Sequence, residues 1–321
     1  MKNILITGGG GYIGTNLTNE LLEEGYYVTV IDTFWFGNYL TKHKRLKIIK
    51  KDIRNLSKKD FYKIDCIIHL ASIANDPAAE LNSKLTWDVN VLATYNLIDL
   101  AVSQKVKKFI FASSGSVYGI KKEKDVTENL SLEPLSDYNK SKMIGERVLL
   151  SYKNYIDLII LRPATVCGYS PAMRLDVAIN ALTFSALQEN KITVFGGKQI
   201  RPNLTMHDMT NAYKFFLKRQ TKKNRSLNKV IFNIGFENLT IMNMAKRIKK
   251  SLNSNSKIII KSSNDPRSYR QNSVRVTKEG FIPMKKIEDS IQEIKKKFKE
   301  QKITKKNNFY RVNTLKIIQA K

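Results

Sequence analysis

Short apolar runs alternate with amphipathic helical patterns through the first half of the chain. Such runs, joined by helices, form βαβ units, and βαβ crossovers build a parallel sheet with helices on both faces. We therefore predict an α/β fold with a doubly wound parallel sheet. The sequence predicts strands at Asn3–Thr7, Tyr27–Asp32, Leu46–Lys50, Ile64–Ala71, Lys107–Ser113 and Leu158–Arg162, and helices at Tyr12–Glu24, Leu85–Ser103 and Tyr138–Tyr152.

The regular alternation ends after Arg162-Pro163. A helix at 176–189 and a short strand at 192–195 follow, and NKVIFNIG at 228–235 predicts one more strand that returns to the sheet. The remainder indicates a smaller C-terminal α/β lobe. The predicted division is a sheet domain over 1–167 with a returning segment at about 203–235, a substrate lobe over 168–202 and 236–300, and a surface-bound or mobile basic tail over 301–321.

Composition limits the possible partners. The chain of 321 residues has a net charge of +28, but its basic residues are mostly lysines spread along the chain, without a nucleic-acid-binding motif. No apolar run reaches the roughly 18 residues of a membrane span. Cys66 and Cys167 cannot form a disulfide framework and lie in no metal-binding spacing. We expect a cytoplasmic protein without a secretory signal, a metal ion, or a nucleic-acid or membrane partner.

The first predicted strand runs into TGGGGYIG at 7–14, followed by a helical pattern. Gly8 allows a tight turn, Gly11 allows close approach of a pyrophosphate, and Gly14 allows close packing of the helix on the strand. Asp32 lies 18 residues after Gly14, where an acid accepts hydrogen bonds from the adenosine ribose. Because a carboxylate repels a 2′-phosphate and the next arginine is Arg45, we expect NAD rather than NADP.

The TGxxGxxG spacing resembles the extended short-chain dehydrogenase/reductase superfamily. Further stretches that match in order are KDIRN at 51–55, HLAS at 69–72, VNVLAT around Asn90, FASSGSVYG at 111–119, YNKSK at 138–142, and LRPATVCG at 161–168. The chain thus resembles the NAD-dependent epimerase/dehydratase family, whose members act on nucleotide sugars. The resemblance continues into RPNLTMHD at 201–208 and DPRSYR at 265–270.

The resemblance implies a set of residues around NAD. Asp52 and Ile53 would contact adenine, and Ala71 and Ser72 would line the pyrophosphate and ribose. Asn90 would sit near the cofactor, although a helix-interior amide bonded to the backbone is the alternative. The implied cofactor-binding residues are Gly8, Gly11, Tyr12, Ile13, Gly14, Asp32, Asp52, Ile53, Leu70, Ala71, Ser72, Asn90, Ser113, Tyr138, Lys142 and Pro163. We interpret His69 as a core histidine.

The stretch SDYNKSK at 136–142 carries the implied catalytic pair. Ser136 or Asp137 can cap a helix on which Tyr138 and Lys142 share a face. An ordinary amphipathic helix would look the same in isolation. By the resemblance, Tyr138 is the acid/base, Lys142 and the positive nicotinamide favour its phenolate, and Ser114 hydrogen-bonds the reacting oxygen.

One departure from the family pattern narrows the reaction. Dehydratases of this family usually carry Asp-Glu after the catalytic hydroxyl residue, whereas this chain has Gly115 and Ser116. Neither residue can move protons for water elimination. We therefore predict a nucleotide-sugar epimerase acting at C4 through a keto intermediate. The alternatives are a nucleotide-keto-sugar reductase or dehydrogenase, and a non-enzymatic NAD-binding sensor.

The partner implied by the resemblance is a nucleotide-diphosphate sugar, with a homodimer expected from family habit. Guanidinium groups suit a diphosphate because they stay charged and offer several donors. Cys167 and His207 are possible additional acid/base groups, although packing is the preferred interpretation for both. The implied substrate-binding residues are Ser114, Ser116, Thr165, Arg174, Asn180, Arg201 and Arg267.

Overall fold

A seven-stranded sheet forms the centre of the computed structural model, which describes residues 1–263 and 268–320. Its strands are β1 (Asn3–Thr7), β2 (Tyr27–Asp32), β3 (Leu46–Lys50), β4 (Cys66–His69), β5 (Lys108–Ala112), β6 (Asp157–Pro163) and β10 (Ile231–Ile234). Their order is β10-β6-β5-β4-β1-β2-β3, and every neighbouring pair is parallel. The predicted doubly wound parallel sheet is confirmed.

The helices cover both faces of this sheet. They are α1 (Tyr12–Glu23), α2 (Asp76–Glu80), α3 (Ser83–Trp87), α4 (Ala93–Ser103), α5 (Asp137–Ser151), α6 (Ala178–Glu189), α7 (Met206–Lys218), α8 (Ile241–Leu252), α9 (Val274–Lys278), α10 (Ile287–Lys299) and α11 (Arg311–Gln319). Within 1–263 and 268–320, no helix is both long and apolar enough to pass through a lipid bilayer.

Alternating side chains of each strand enter two hydrophobic cores. Ile4 and Ile6 of β1 join the core that contains Leu17 of α1 and Phe216 of α7. Leu5 points to the opposite face and joins the core that α4 and α5 cover. Successive side chains of a strand point to opposite faces of the sheet, and here both faces are buried. The strands are therefore continuous apolar runs in the sequence.

The predicted helix Leu85–Ser103 is helical throughout, but it is not a regular α-helix over its whole length. The structure has α3, then a π-helical turn at Asp88–Leu92, and then α4. The side chain of Asn90, within that turn, holds the loop after β4: its amide oxygen accepts from the backbone N–H of Ile73 at 2.8 Å. A π-turn inserts one extra residue into a helix, and here no glycine or proline in the sequence marks its position. Sequence periodicity therefore could not reveal it.

The smaller lobe contains two short sheets. Strands β7 (Thr165–Cys167), β9 (Ile200–Thr205) and β11 (Glu237–Thr240) form one, and β8 (Lys191–Phe195) and β12 (Lys257–Lys261) form the other. A separate core of buried residues from α6, β8, α8 and α10 stabilises this lobe. The domain boundaries proposed from the sequence stay a prediction.

The C-terminal segment forms a helix that packs against the body of the protein. Residues Arg311–Gln319 form α11, and Phe309, Arg311 and Leu315 are buried. The lysines at 295–306 suggested a solvated end, but the apolar residues beyond them pack against the body of the protein. Of the two alternatives for the tail, surface-bound and mobile, these buried side chains favour the first, and the division at residue 301 stays a prediction.

Candidate active site

A cavity of about 890 Å³ opens at the carboxyl ends of the parallel strands. It lies where β1 is flanked by β4 on one side and β2 on the other, so the chain winds away in opposite directions from this point. Ligands of open α/β sheets bind at such a switch point. Residues of the smaller lobe, including Thr193 and Arg201, complete the wall.

The glycine loop after β1 forms one edge of the cavity. Gly8 has a φ of +75°, and a Cβ there would lie 2.5 Å from the backbone nitrogen of Ala71. A Cβ on Gly14 would lie 2.4 Å from the carbonyl oxygen of Gly8. Gly11 precedes α1 without a side-chain cap, so the first N–H groups of the helix are available to an anion. This edge fits the pyrophosphate of a dinucleotide.

Asp32 lies in the cavity wall at the end of β2. One carboxylate oxygen accepts from the backbone N–H of Gly10 at 2.9 Å, and the other from Phe34 at 2.7 Å. Burial raises the pKa of Asp32, and these backbone donors and the Arg311 charge act in the opposite direction. Since each oxygen can accept a further hydrogen bond, the position fits the ribose hydroxyls.

The other expected cofactor residues occupy the same wall. Asp52 is held by a two-point ion pair with Arg54, at 3.1 and 2.8 Å. The residues expected around the cofactor that line the cavity are Gly8, Gly11, Tyr12, Ile13, Gly14, Asp32, Asp52, Ile53, Leu70, Ala71, Ser72, Ser113, Tyr138, Lys142 and Pro163.

Helix α5 brings Tyr138 and Lys142 to the floor of the cavity. The Ser136 hydroxyl caps the helix by accepting from the backbone N–H of Asn139 at 3.2 Å. Lys142 Nζ donates to the carbonyl oxygen of Ala112 at 2.8 Å and lies 6.0 Å from the centre of the Tyr138 ring. Burial lowers the pKa of Lys142 to about 7, and the Glu146 charge opposes this.

Ser114 follows β5 and faces Tyr138. Its Oγ lies 2.7 Å from Ser116 Oγ, and Ser116 in turn donates to the side chain of Asn139. Burial raises the pKa of Tyr138, whereas a hydrogen bond with Ser114 and the charge of Arg174 oppose the rise. From the sequence we expected Lys142 to supply that opposition. In this structure Ser114 and Arg174 supply it, and the part expected of Lys142 together with bound nicotinamide stays a prediction.

Comparison with known proteins identifies the family. The sequence matches the model of the NAD dependent epimerase/dehydratase family over residues 4–235. The chain belongs to this family. A UDP-glucose 4-epimerase from Lactobacillus helveticus is 29% identical over 76% of this chain and 81% of its own length. Other relatives are UDP-glucuronic acid decarboxylases.

Two solved epimerases share the architecture of this family member. A UDP-N-acetylglucosamine 4-epimerase from Methanobrevibacter ruminantium superposes with a TM-score of 0.85, at 25% identity over 94% of this chain and 99% of its own. A UDP-glucuronic acid 4-epimerase from Bacillus cereus, in complex with UDP-glucuronic acid and NAD, superposes with a TM-score of 0.78. It is 26% identical, and the match covers 92% of this chain and 99% of the epimerase chain. The cofactor of this family member is NAD, and the glycine loop and Asp32 fit it.

Two expected contacts do not reach the cavity. Asn90 is buried and donates to Ile73 O and Ser141 Oγ, while its own oxygen accepts from Ile73. Asn180 accepts from the backbone of Gly168 and donates to Tyr12 Oη at 3.0 Å. Both amides hold loops that form the wall, and neither residue lines the cavity. The cofactor role of Asn90 and the substrate role of Asn180 stay predictions, and for Asn90 the contacts favour the alternative of an amide bonded to the backbone.

The remaining substrate residues fall into two groups. Ser114, Ser116, Thr165, Arg174 and Arg201 line the cavity. Arg174 is already paired with Asp176 at 2.9 Å. Arg267 lies outside the described residues.

Three other side chains of interest stay away from the chemistry. His69 is buried between Thr7 at 2.6 Å and Thr94 at 2.9 Å, and burial lowers its pKa to about 3. Cys167 is buried, and burial raises its pKa to about 12. His207 is exposed beside Asp208. Since these three do not line the cavity, we assign them no catalytic role.

Sequence reasoning missed a buried charge network below the site. Arg162, on β6, binds Glu146 of α5 at 2.9 and 2.6 Å, and Ser113 donates to the same carboxylate. Glu146 lies four residues after Lys142, so the helical spacing offered a weak signal.

The α11 residues in the wall gave no signal in the sequence, because they lie beyond the matched motifs.

Proposed function

We propose that this protein is an NAD-dependent nucleotide-sugar epimerase that acts at C4 through a keto intermediate. The observation that most strongly supports this proposal is that Ser114, Tyr138 and Lys142 line one cavity. Gly115 and Ser116 directly follow Ser114 in the sequence. The cluster can move a hydroxyl proton, but Gly115 and Ser116 offer no carboxylic acid for eliminating water. The names of the relatives, which include UDP-glucose and UDP-glucuronic acid 4-epimerases, support the proposal.

In this proposal Tyr138 takes the proton of the sugar hydroxyl as the carbon is oxidised, and returns it when the ketone is reduced. Ser114 bonds the reacting oxygen and limits the pKa rise that burial imposes on Tyr138. Lys142, fixed by Ala112 O, holds the ribose next to the nicotinamide. Bound NAD supplies the hydride acceptor and donor. The C4 alcohol thus loses the proton of its oxygen and the hydride of its carbon. The hydride returns to the opposite face of C4, and the proton returns to the oxygen.

The substrate is anchored through its diphosphate. Arg201 lies in the wall contributed by the smaller lobe, where a guanidinium can bind phosphate oxygens in two places. We assign the same role to Arg267, and a supporting role to Arg174 through its charge near Tyr138. We expect a homodimer, which sedimentation of the purified protein will test.

The test is an interconversion without added cofactor. Purified protein should retain NAD through gel filtration and interconvert a UDP-hexose or another nucleotide sugar. Substrate deuterated at C4 should keep its label in the product, because the same carbon loses and regains the hydride. Stoichiometric formation or loss of NADH would establish a reductase or dehydrogenase instead. Retained NAD without any turnover of nucleotide sugars would favour the sensor.

A further inference from the structure

The C-terminal helix forms part of the cavity wall. Tyr310, Arg311, Val312, Asn313 and Leu315 all line the cavity. The turn before the helix is fastened to the loop after β2, because Asn308 Nδ2 donates to Phe36 O at 3.1 Å and to Tyr39 Oη at 2.6 Å. The helix therefore covers the site on the side of the β2 loop.

Arg311 is a buried cation without a carboxylate partner in this wall. Only 5% of the residue is exposed, and its guanidinium lies 3.8 Å from the centre of the Phe36 ring. Nη1 donates to Asn308 O at 3.2 Å. Within 1–263 and 268–320, no carboxylate oxygen forms an ion pair with this guanidinium. Arg162 is equally buried but has Glu146 at 2.6 Å.

Asp176, which contacts the backbone of Arg311, is already engaged. Asp176 accepts from the backbone N–H of Arg311 at 3.2 Å, but its carboxylate pairs with Arg174 and also accepts from Asn75 at 3.0 Å. A buried charge is costly unless it is paired and hydrogen-bonded. The buried guanidinium charge would therefore be stabilised by binding an anion from outside the protein.

The position of Arg311 indicates which anion. The charge of Arg311 acts on Asp32, at the end of β2, and is itself influenced by Tyr12, the first residue of α1. Burial, followed by repulsion from Arg174, lowers the pKa of Arg311 to about 9. The side chain remains charged at neutral pH. It lines the same cavity as Asp32, which fits the ribose, and as Tyr12, at the helix N-terminus that fits a pyrophosphate.

We propose that Arg311 binds the pyrophosphate of NAD, so that α11 is a cofactor-holding element of this protein. A guanidinium can form two parallel hydrogen bonds with phosphate oxygens, and the Phe36 ring fixes its plane. The proposal rests on NAD as the cofactor, which the proposed function shares, but not on epimerisation. Binding measurements therefore test it independently of turnover.

The experiment compares two ligands on the full chain after removal of its cofactor. Adenosine diphosphate ribose contains the pyrophosphate, whereas adenosine does not. Calorimetric titration of R311Q should show about tenfold or weaker affinity for adenosine diphosphate ribose and unchanged affinity for adenosine. K316Q is the matched control, because it removes an exposed charge from the same helix and should change neither affinity.

Two outcomes would overturn the proposal. Affinity for adenosine diphosphate ribose that is unchanged in R311Q would show that the guanidinium does not touch the pyrophosphate. An equal loss for both ligands would show a structural role.

A second variant covers the case in which R311Q does not fold. R311K keeps the positive charge but removes the planar group that stacks on Phe36 and forms paired hydrogen bonds. In R311K the affinity for adenosine diphosphate ribose should fall several-fold, whereas the affinity for adenosine should not change. The affinity for adenosine diphosphate ribose should also decrease more steeply with salt than in the wild type. Unchanged affinity and salt dependence in R311K would contradict the proposal.

Discussion

The carboxylate of Glu146 receives two hydrogen bonds from Arg162, at 2.9 and 2.6 Å, on the helix that carries Tyr138 and Lys142. Arg162 also donates to Tyr118 Oη at 2.8 Å. Because Glu146 shares its helix with Tyr138 and Lys142, the pair fixes that helix against β6. The charged pair is buried, so neither partner can be solvated if the other is removed.

We predict that Glu146→Gln lowers the free energy of unfolding by about 3–5 kcal/mol, because it leaves the Arg162 charge buried without its partner. Urea unfolding, followed by circular dichroism, will measure the loss. Glu288→Gln is the matched control, since Glu288 also binds an arginine in two places but is partly exposed. Its loss should be about 1 kcal/mol or less. Similar losses in both variants would contradict this assignment.

Tyr138→Phe should reduce turnover by about 100-fold or more while leaving bound NAD in place. Only the hydroxyl that exchanges the proton is removed, and the ring still fills the wall. Steady-state rates and the NAD content of the purified protein will measure both effects. Tyr152→Phe removes a hydroxyl at the end of the same helix, where it bonds Asp99 at 3.2 Å outside the cavity. If Tyr138→Phe turned over substrate at the wild-type rate, Tyr138 could not be the group that exchanges the proton.

Much of the sheet and its cofactor edge could be predicted because local signals agreed. An apolar run, a glycine cluster and a helical pattern occur in direct succession, so β1, the loop and α1 follow from neighbouring residues. The beginning of α5 was equally local, since Ser136 caps the helix that carries Tyr138. In these cases, a residue's role depends on residues only a few positions away.

The positions that the sequence alone could not settle depend on distant residues. Asn90 and Asn180 match family motifs, but their partners are Ile73, Ser141, Gly168 and Tyr12. Whether such an amide faces a ligand or a loop is decided by tertiary packing. The place of Arg311 depends on contacts that Arg311 and the turn before α11 make with the β2 loop, about 270 residues away in the chain. Neither periodicity nor motif spacing reports on contacts of that kind.

Asp32→Ala should narrow the preference of the protein for NAD over NADP. The wild-type carboxylate repels a 2′-phosphate, and the variant removes that repulsion while Arg311 remains nearby. NAD affinity should fall as well, because the backbone N–H groups of Gly10 and Phe34 lose their acceptor. Titration of both cofactors into the full chain will measure the ratio. A wild-type preference for NADP would contradict the role given to Asp32.

Lys142 should make the stability of the cofactor-free protein depend on pH. The pKa of its ammonium is about 7 in the folded protein, whereas an unfolded lysine has a pKa of about 10.4. Between these values the unfolded chain binds the additional proton, so the free energy of unfolding rises with pH, by up to about 1.4 kcal/mol per pH unit. Below about pH 7 both states are protonated, and this contribution no longer changes.

Lys142→Met isolates this contribution, because other groups titrate equally in both proteins. The wild-type free energy of unfolding minus that of Lys142→Met should increase from about pH 7 to about pH 10 in urea titrations. Lys140→Met is the matched control, since Lys140 lies on the same helix but is exposed. Its difference from the wild type should show no comparable rise. A flat difference for Lys142→Met would show that the folded protein keeps the ammonium charged throughout, so that burial does not govern its protonation.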